Sequence, residues 1–209
     1  MCFSYKQKKE GLVLEKQFKV SKKSGVIIEP VKIVNGFDHP ETAIITNTEN
    51  ELLQTGIWGL LPNWAQDKKH QNFTLNARIE DVTTTSSFKD SIQNRCLVLA
   101  NGFYEWQWLN SKGTNKKKFE IGLKNDETFA FAGIYEFNKS LNNITFSILT
   151  TQANDLMSQI HNTKKRMPVI LKREDETNWL QGANYNEFSF PYEVDLIANE
   201  IEDNQLRLF

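Results

Sequence analysis

The chain has 209 residues, 39% hydrophobic and 11% aromatic, which is enough apolar side chain for a folded core and excludes a disordered polymer. Its 25 Lys and Arg balance 26 Asp and Glu, and its two cysteines, Cys2 and Cys96, exclude a disulfide scaffold and point to a reducing, cytoplasmic setting. No apolar signal-peptide core follows Met1, and no window reaches transmembrane length, so no membrane partner is expected. The charge balance hides a division: residues 172–209 hold three basic and nine acidic side chains, a net of −6, against +5 for residues 1–171. A basic body is compatible with a phosphate-bearing partner, because the field that acts on a partner is local.

In chain order, β-branched and aromatic runs predict strands at 42–46, 96–106, 119–123, 128–137 and 144–150, with 138–143 as a hairpin loop. Ser86 or Ser87 is expected to cap a short helix through Ile92. Thr151 is expected to cap a second helix, in which Ala153, Leu156, Met157 and Ile160 make an apolar stripe and His161 ends the run. A third helix is expected over 174–181, with acidic residues in its first turn. The pattern predicts one α+β domain over 1–209 with a mainly antiparallel β core and a few peripheral helices, the acidic 172–209 segment lying to its side.

Four places carry candidate chemistry. If Met1 is removed, Cys2 presents a thiol and an α-amine on adjacent carbons, with ordinary pKa values of about 8.5 and about 7.7–8.0, so some of each is unprotonated near neutral pH. Such a 1,2-aminothiol converts an aldehyde first to an imine and then to a thiazolidine ring. Asn101-Gly102 reads as a turn or bulge, after which Glu105 sits between Tyr104 and Trp106, surroundings that raise a carboxyl pKa and suit a general acid or base. The competing reading is an outward-facing Glu on a half-buried strand. His161, at a helix C-terminus, is expected to be biased toward its protonated form.

Trp58 and Trp64 flank Gly59 and Pro62 in a stretch suited to base stacking, with Arg78 as a phosphate clamp and Asn76 as an orienting amide. The competing reading there is a buried Trp cluster with Arg78 paired to Glu80 or another acid. His39 and His70 lack partners at metal-ligand spacing, and neither CxxC nor HxxxH occurs, so no metal is expected. Nor is an organic cofactor.

Together Met1-Cys2, WGLLPNW, LNARIEDV, RCLVLANGFYEW, FAFAGIYE, FSILTTQAN and IH…RMPVIL resemble the SRAP family, the SOS-response-associated peptidase domain of abasic-site processing proteins. The resemblance covers most of residues 1–180. It implies a β-rich, barrel-like fold and a monomeric protein that acts on abasic sites in single-stranded DNA through a Cys2 thiazolidine crosslink. It further implies that the Cys2 thiolate captures the imine, Glu105 moves protons, and Asn76 holds the linked sugar. His161 would protonate the sugar ring oxygen and support a β-elimination side reaction. Arg78 would contact a phosphate, and Trp58 and Trp64 would stack or wedge the strand.

Three departures stand out. Phe3 and Ser4 replace a usual Gly-Arg, leaving Lys6 or Lys8 to supply the charge. His161 to Pro168 is longer than the usual His-x-Arg-Met-Pro, which puts Arg166 in question and adds Lys164 and Lys165 beside the cleft. Leu99 stands where Pro is common. Two rival functions use the same residues: a cysteine peptidase with Cys2 as nucleophile, and a non-covalent single-stranded DNA-binding module.

Overall fold

A computed structural model describes residues 2–202. Its strands are β1 (Ser4–Gln7), β2 (Ser21–Lys22), β3 (Val31–Asn35), β4 (Glu41–Thr46), β5 (Leu52–Trp58), β6 (Asn76–Arg78), β7 (Arg95–Ala100), β8 (Gly102–Trp108), β9 (Lys116–Gly122), β10 (Phe129–Asn138), β11 (Asn143–Gln152), β12 (Arg166–Pro168) and β13 (Ile197–Ile201). The helices are α1 (Gly11–Phe18), α2 (Asp155–Ile160) and α3 (Glu176–Leu180).

The central strands are apolar on both faces. In β7, Cys96, Val98 and Ala100 face one core while Leu97 and Leu99 face another; in β10, Phe129, Phe131 and Tyr135 oppose Ala130, Ala132 and Ile134 in the same way. A strand buried on both sides reads as a continuous apolar run, which is why these strands were legible. The antiparallel order β11-β10-β7-β4-β5 closes on itself through a parallel pairing of β5 with β11, Ile57 to Thr145 and Trp58 to Phe146. The expected α+β, barrel-like class is therefore observed, as a five-stranded barrel. Closure at this strand number leaves an interior filled by side chains, here including Tyr5, Trp58, Phe131 and Phe146.

A second sheet, in the order β13-β9-β8-β1-β3, leaves the barrel at Asn101. The expected break at Asn101-Gly102 is this corner, where β7 of the barrel turns into β8 of the other sheet. Asn101 fixes it by donating its amide N–H to the Lys6 carbonyl (3.0 Å), accepting from the Lys8 N–H (2.9 Å) and donating from Nδ2 to Asp126 (2.8 Å).

Two helix expectations change. β11 runs on to Gln152, so Thr151 is a strand residue, and the cap of α2 is Asn154, whose Oδ1 accepts from the Met157 N–H. The stretch after Ser86 forms only a 3-10 turn at Lys89–Ser91. Of the acidic 172–209 segment, residues 173–202 pack onto the barrel and the second sheet, and 203–209 lie outside the described residues. Trp179 is fully buried with its indole N–H on the Cys96 carbonyl, Arg95 lies 4.3 Å over its ring, and β13 extends the second sheet. Trp179→Ala is expected to cost about 3–5 kcal/mol, the usual range for emptying a buried aromatic site, measured by urea unfolding.

Candidate active site

β1 carries the amino terminus between β8 and β3, with Tyr5 opposite both Phe103 and Val34. Cys2, two residues before β1, is fully buried. Its carbonyl accepts from Asn76 Nδ2 at 2.8 Å. Asn76 comes from β6, which lies parallel to β11 with Asn76 opposite Ile148. Its Oδ1 is buried without a hydrogen-bond partner among the described residues, an acceptor whose desolvation is uncompensated unless a ligand or the mature terminus donates to it.

Glu105 stands on β8 opposite Phe119 and is 5% exposed. Strand alternation turns it, with Phe103, to the face away from Tyr104 and Trp106. Burial pushes its carboxyl up to about 7, since a low-dielectric setting penalises the charged form. Burial also pushes the Cys2 thiol well above its ordinary value, and the nearby Glu105 charge adds to that shift. The thiol is therefore protonated at neutral pH, which corrects the expectation of a standing thiolate fraction.

His161 ends α2 and is nearly buried. α2 is fastened to β8: Gln107 Nε2 donates to the Gln159 carbonyl at 3.0 Å, and the Asn162 side chain bonds both backbone groups of Trp108, at 3.1 and 2.8 Å. Burial holds the imidazole down to about 4, so it is neutral, against the expectation from the helix dipole. Desolvation outweighs the field of a helix of six residues. Nδ1 lies 2.9 Å from the Arg166 carbonyl oxygen, which accepts from it in the tautomer protonated at Nδ1, the form that leaves Nε2 as the accepting nitrogen. The Arg166 N–H at 3.2 Å from the same Nδ1 is the longer contact.

Arg78 lies two residues beyond Asn76 on β6 and is exposed, its Nε 3.1 Å from Asp81 and 3.9 Å from Glu80. Arg166 is engaged differently. Glu80 takes it in a fork at 2.7 and 2.8 Å, and the Thr150 carbonyl accepts from it at 2.6 Å. It braces the site's wall instead of reaching outward, which answers the question raised by the longer His161–Pro168 segment. Lys164 and Lys165, on the turn between them, are exposed.

Two other expected contacts are corrected. Trp58 is fully buried at the end of β5, its indole N–H on the Leu75 carbonyl and its ring 5.1 Å from Tyr5, so it is core and cannot stack on a base. Lys6 is 3% exposed, with its ammonium 2.5 Å from both Glu120 and Asp126, so it offers no charge to a phosphate. Trp64 is exposed, edge-on to His70.

A model of the SOS response associated peptidase (SRAP) family matches residues 1–206. The chain belongs to the SRAP family. Abasic site processing protein YoqW of Bacillus subtilis is 42% identical over 145 residues, covering 68% of this chain and 62% of that protein. YoaM of the same organism, also named an abasic site processing protein, is 38% identical over 162 residues, 73% of this chain and 69% of its own. The chain thus spans a little under two thirds of YoqW. A crystal structure of a Bacteroides thetaiotaomicron protein superposes with a TM-score of 0.84 at 30% identity, over 97% of this chain and 93% of the other.

This SRAP chain also carries surface residues that the motifs did not single out. Phe37 is half exposed and packs 5.1 Å from Phe3, whose carbonyl accepts from the Gly36 N–H. Phe73 is 80% exposed just before Leu75-Asn76. The loops bearing these two rings are tied by His39 and Asn72, 3.0 Å apart. The available signal was an aromatic inside an otherwise polar turn, NGFD and HQNFT.

Proposed function

We propose that this chain processes abasic sites in single-stranded DNA by crosslinking its Cys2, exposed as the terminal residue by loss of Met1, to the open-chain aldehyde. The observation that carries this reading is the anchoring of Cys2 by Asn76 beside a Glu105 carboxyl poised near 7. Membership of a family whose relatives are named abasic site processing proteins supports it.

The site residues suit a balanced sequence of steps. The neutral His161 accepts the anomeric hydroxyl proton as the bond to the ring oxygen breaks. It passes that proton to the ring oxygen, which becomes a hydroxyl and leaves His161 neutral again. The Cys2 amine adds to the aldehyde carbon to give a carbinolamine. Protonated Glu105 gives its proton to the hydroxyl, which leaves as water, and an iminium forms. The Glu105 carboxylate then takes the thiol proton while sulfur adds to the iminium carbon, closing the thiazolidine and returning Glu105 to its acid form. One carboxyl near pH 7 serves both steps because acid and base forms are both accessible there. Asn76 Oδ1 is suited to accept from the amine or a sugar hydroxyl. Arg78, Lys164 and Lys165 supply phosphate contacts, while Trp64, Phe37 and Phe73 are exposed rings on which unpaired bases can stack.

A peptidase reading is weaker. A cysteine nucleophile is activated by lowering its thiol pKa beside a cationic partner, whereas burial raises Cys2 and His161 is neutral.

Incubation of the mature protein with a 20-nucleotide single strand holding one abasic site is expected to yield an adduct that survives denaturation; none forming overturns the proposal. Arg78→Ala is expected to weaken binding of the undamaged strand about fivefold and to lower the slope of log affinity against log salt by about 0.7, one phosphate contact on a single strand. Fluorescence anisotropy across a salt series reads both.

A further inference from the structure

We propose that Lys6 is a positioning residue, whose buried ion pairs lock the register of β1 and thereby hold Cys2 against Glu105. The proposal rests on the crosslinking reading only for its activity readout.

β1 is short, and only Tyr5 to Phe103 and Lys6 to Gly102 pair it with β8. On its other side β3 is largely exposed, and its pairing with β1 slips between Tyr5 and Gln7. Backbone pairing alone is thus a weak determinant of register in the strand that carries the nucleophile. A slip of one residue would turn every side chain to the opposite face.

Lys6 makes that slip prohibitive. In the observed register Tyr5 points into the core, 5.1 Å from Trp58 and 5.8 Å from Phe131. Lys6 points to the other face, where Glu120 and Asp126 each lie 2.5 Å from its ammonium, Asn101 orients Asp126, and the Tyr104 hydroxyl donates to Glu120. One residue out of register, the ammonium would be unpaired among aromatic rings, and Glu120 and Asp126 would lose the buried cation they share. The more exposed Lys9, 3.5 Å from Asp126, is a longer contact to Asp126 alone. Fixing register is the best-supported role of a buried charged group. Gly102 completes the fit: any Cβ there would collide with the Lys6 methylenes, so the lysine has a slot of its own. Cys2 lies four residues upstream and inherits this register.

The test compares Lys6→Met with Lys6→Arg, and uses Asp126→Asn should Lys6→Met fail to fold. Single-turnover adduct formation at saturating abasic 20-mer, affinity for the undamaged 20-mer, and alkylation of Cys2 by iodoacetamide, followed by peptide mass, are measured. Lys6→Met, or Asp126→Asn in its place, is expected to slow the saturated rate at least tenfold, leave affinity within twofold and speed Cys2 alkylation at least tenfold. Lys6→Arg should return both rates to within threefold of wild type. An unchanged rate and unchanged alkylation in a folded variant overturn the proposal. So does a loss confined to affinity with a shallower salt slope, which would make Lys6 a phosphate contact. Absence of any wild-type adduct sinks the crosslinking reading instead, and the alkylation arm still decides the role of Lys6.

Discussion

Cys2→Ala and Cys2→Ser are both expected to lose the denaturation-resistant adduct and to leave an imine that hydrolyses unless it is trapped by borohydride. The two variants separate the two nucleophiles. Both keep the α-amine, so both can reach the iminium. Closure to a durable ring needs sulfur, because a hydroxyl is a far poorer nucleophile toward an iminium near neutral pH. Gel shift after heating in detergent reads the outcome, and a wild-type level of stable adduct in Cys2→Ala would refute thiazolidine formation. Since Cys2 is fully buried, its replacement by a smaller residue is expected to leave the second sheet intact, which circular dichroism checks.

Glu105→Gln is expected to slow crosslinking at least a hundredfold, within the range of about 10²–10⁴ for a positioned acid–base group, and to change the form of the pH profile. In the wild type the acid form of Glu105, lost above about 7, multiplies the free-amine fraction, which grows toward about 7.7–8.0. The product is a bell with its maximum near pH ~7.4. Without the carboxyl, only the rising amine limb remains; a bell retained in Glu105→Gln would assign the falling limb to another group.

The same carboxyl affects stability with a definite sign. Below its unfolded value both states hold the proton and there is no contribution. From there up to about 7 the unfolded chain has released it and the folded chain has not, so stability falls as pH rises. The loss, on the order of 3 kcal/mol, is complete above pH 7. Glu105→Gln is therefore expected to unfold at higher urea than wild type at pH 8 and at nearly the same urea at pH 4.5.

Much of the barrel was legible in the residues. β4, β7, β10 and β11 are apolar on both faces, and the corner at Asn101 announced itself by an Asn-Gly pair inside such a run. β5 escaped because Gln54-Thr55-Gly56 interrupts its apolar sequence, and its place is set by its antiparallel pairing with β4 and the closing contact with β11. α1 escaped because Leu14 is its one buried side chain, too little to make a stripe. At the site, residue chemistry and motif singled out Cys2, Asn76, Glu105 and His161, but protonation states depend on burial and were misread for the Cys2 thiol and for His161. Trp58 and Lys6 went astray for a related reason. A Trp beside Gly and Pro and a Lys near the amino terminus are surface features on average, whereas here each side chain is committed to the interior by the facing of its strand.

The Cys2 pocket has a consequence for the order of events during synthesis. Its walls come from β8, from β6 and from β11, on which β6 lies, so it cannot exist until the chain has been made to about Gln152. At about 5–20 residues per second, the Met1-Cys2 terminus stays outside any fold for roughly 8–30 s. The trimming of Met1 that the crosslinking proposal requires would then have unhindered access to the nascent chain, ahead of burial. A protein purified with Met1 retained would accordingly report trimming that failed on the ribosome, and would lack the free amine that crosslinking needs.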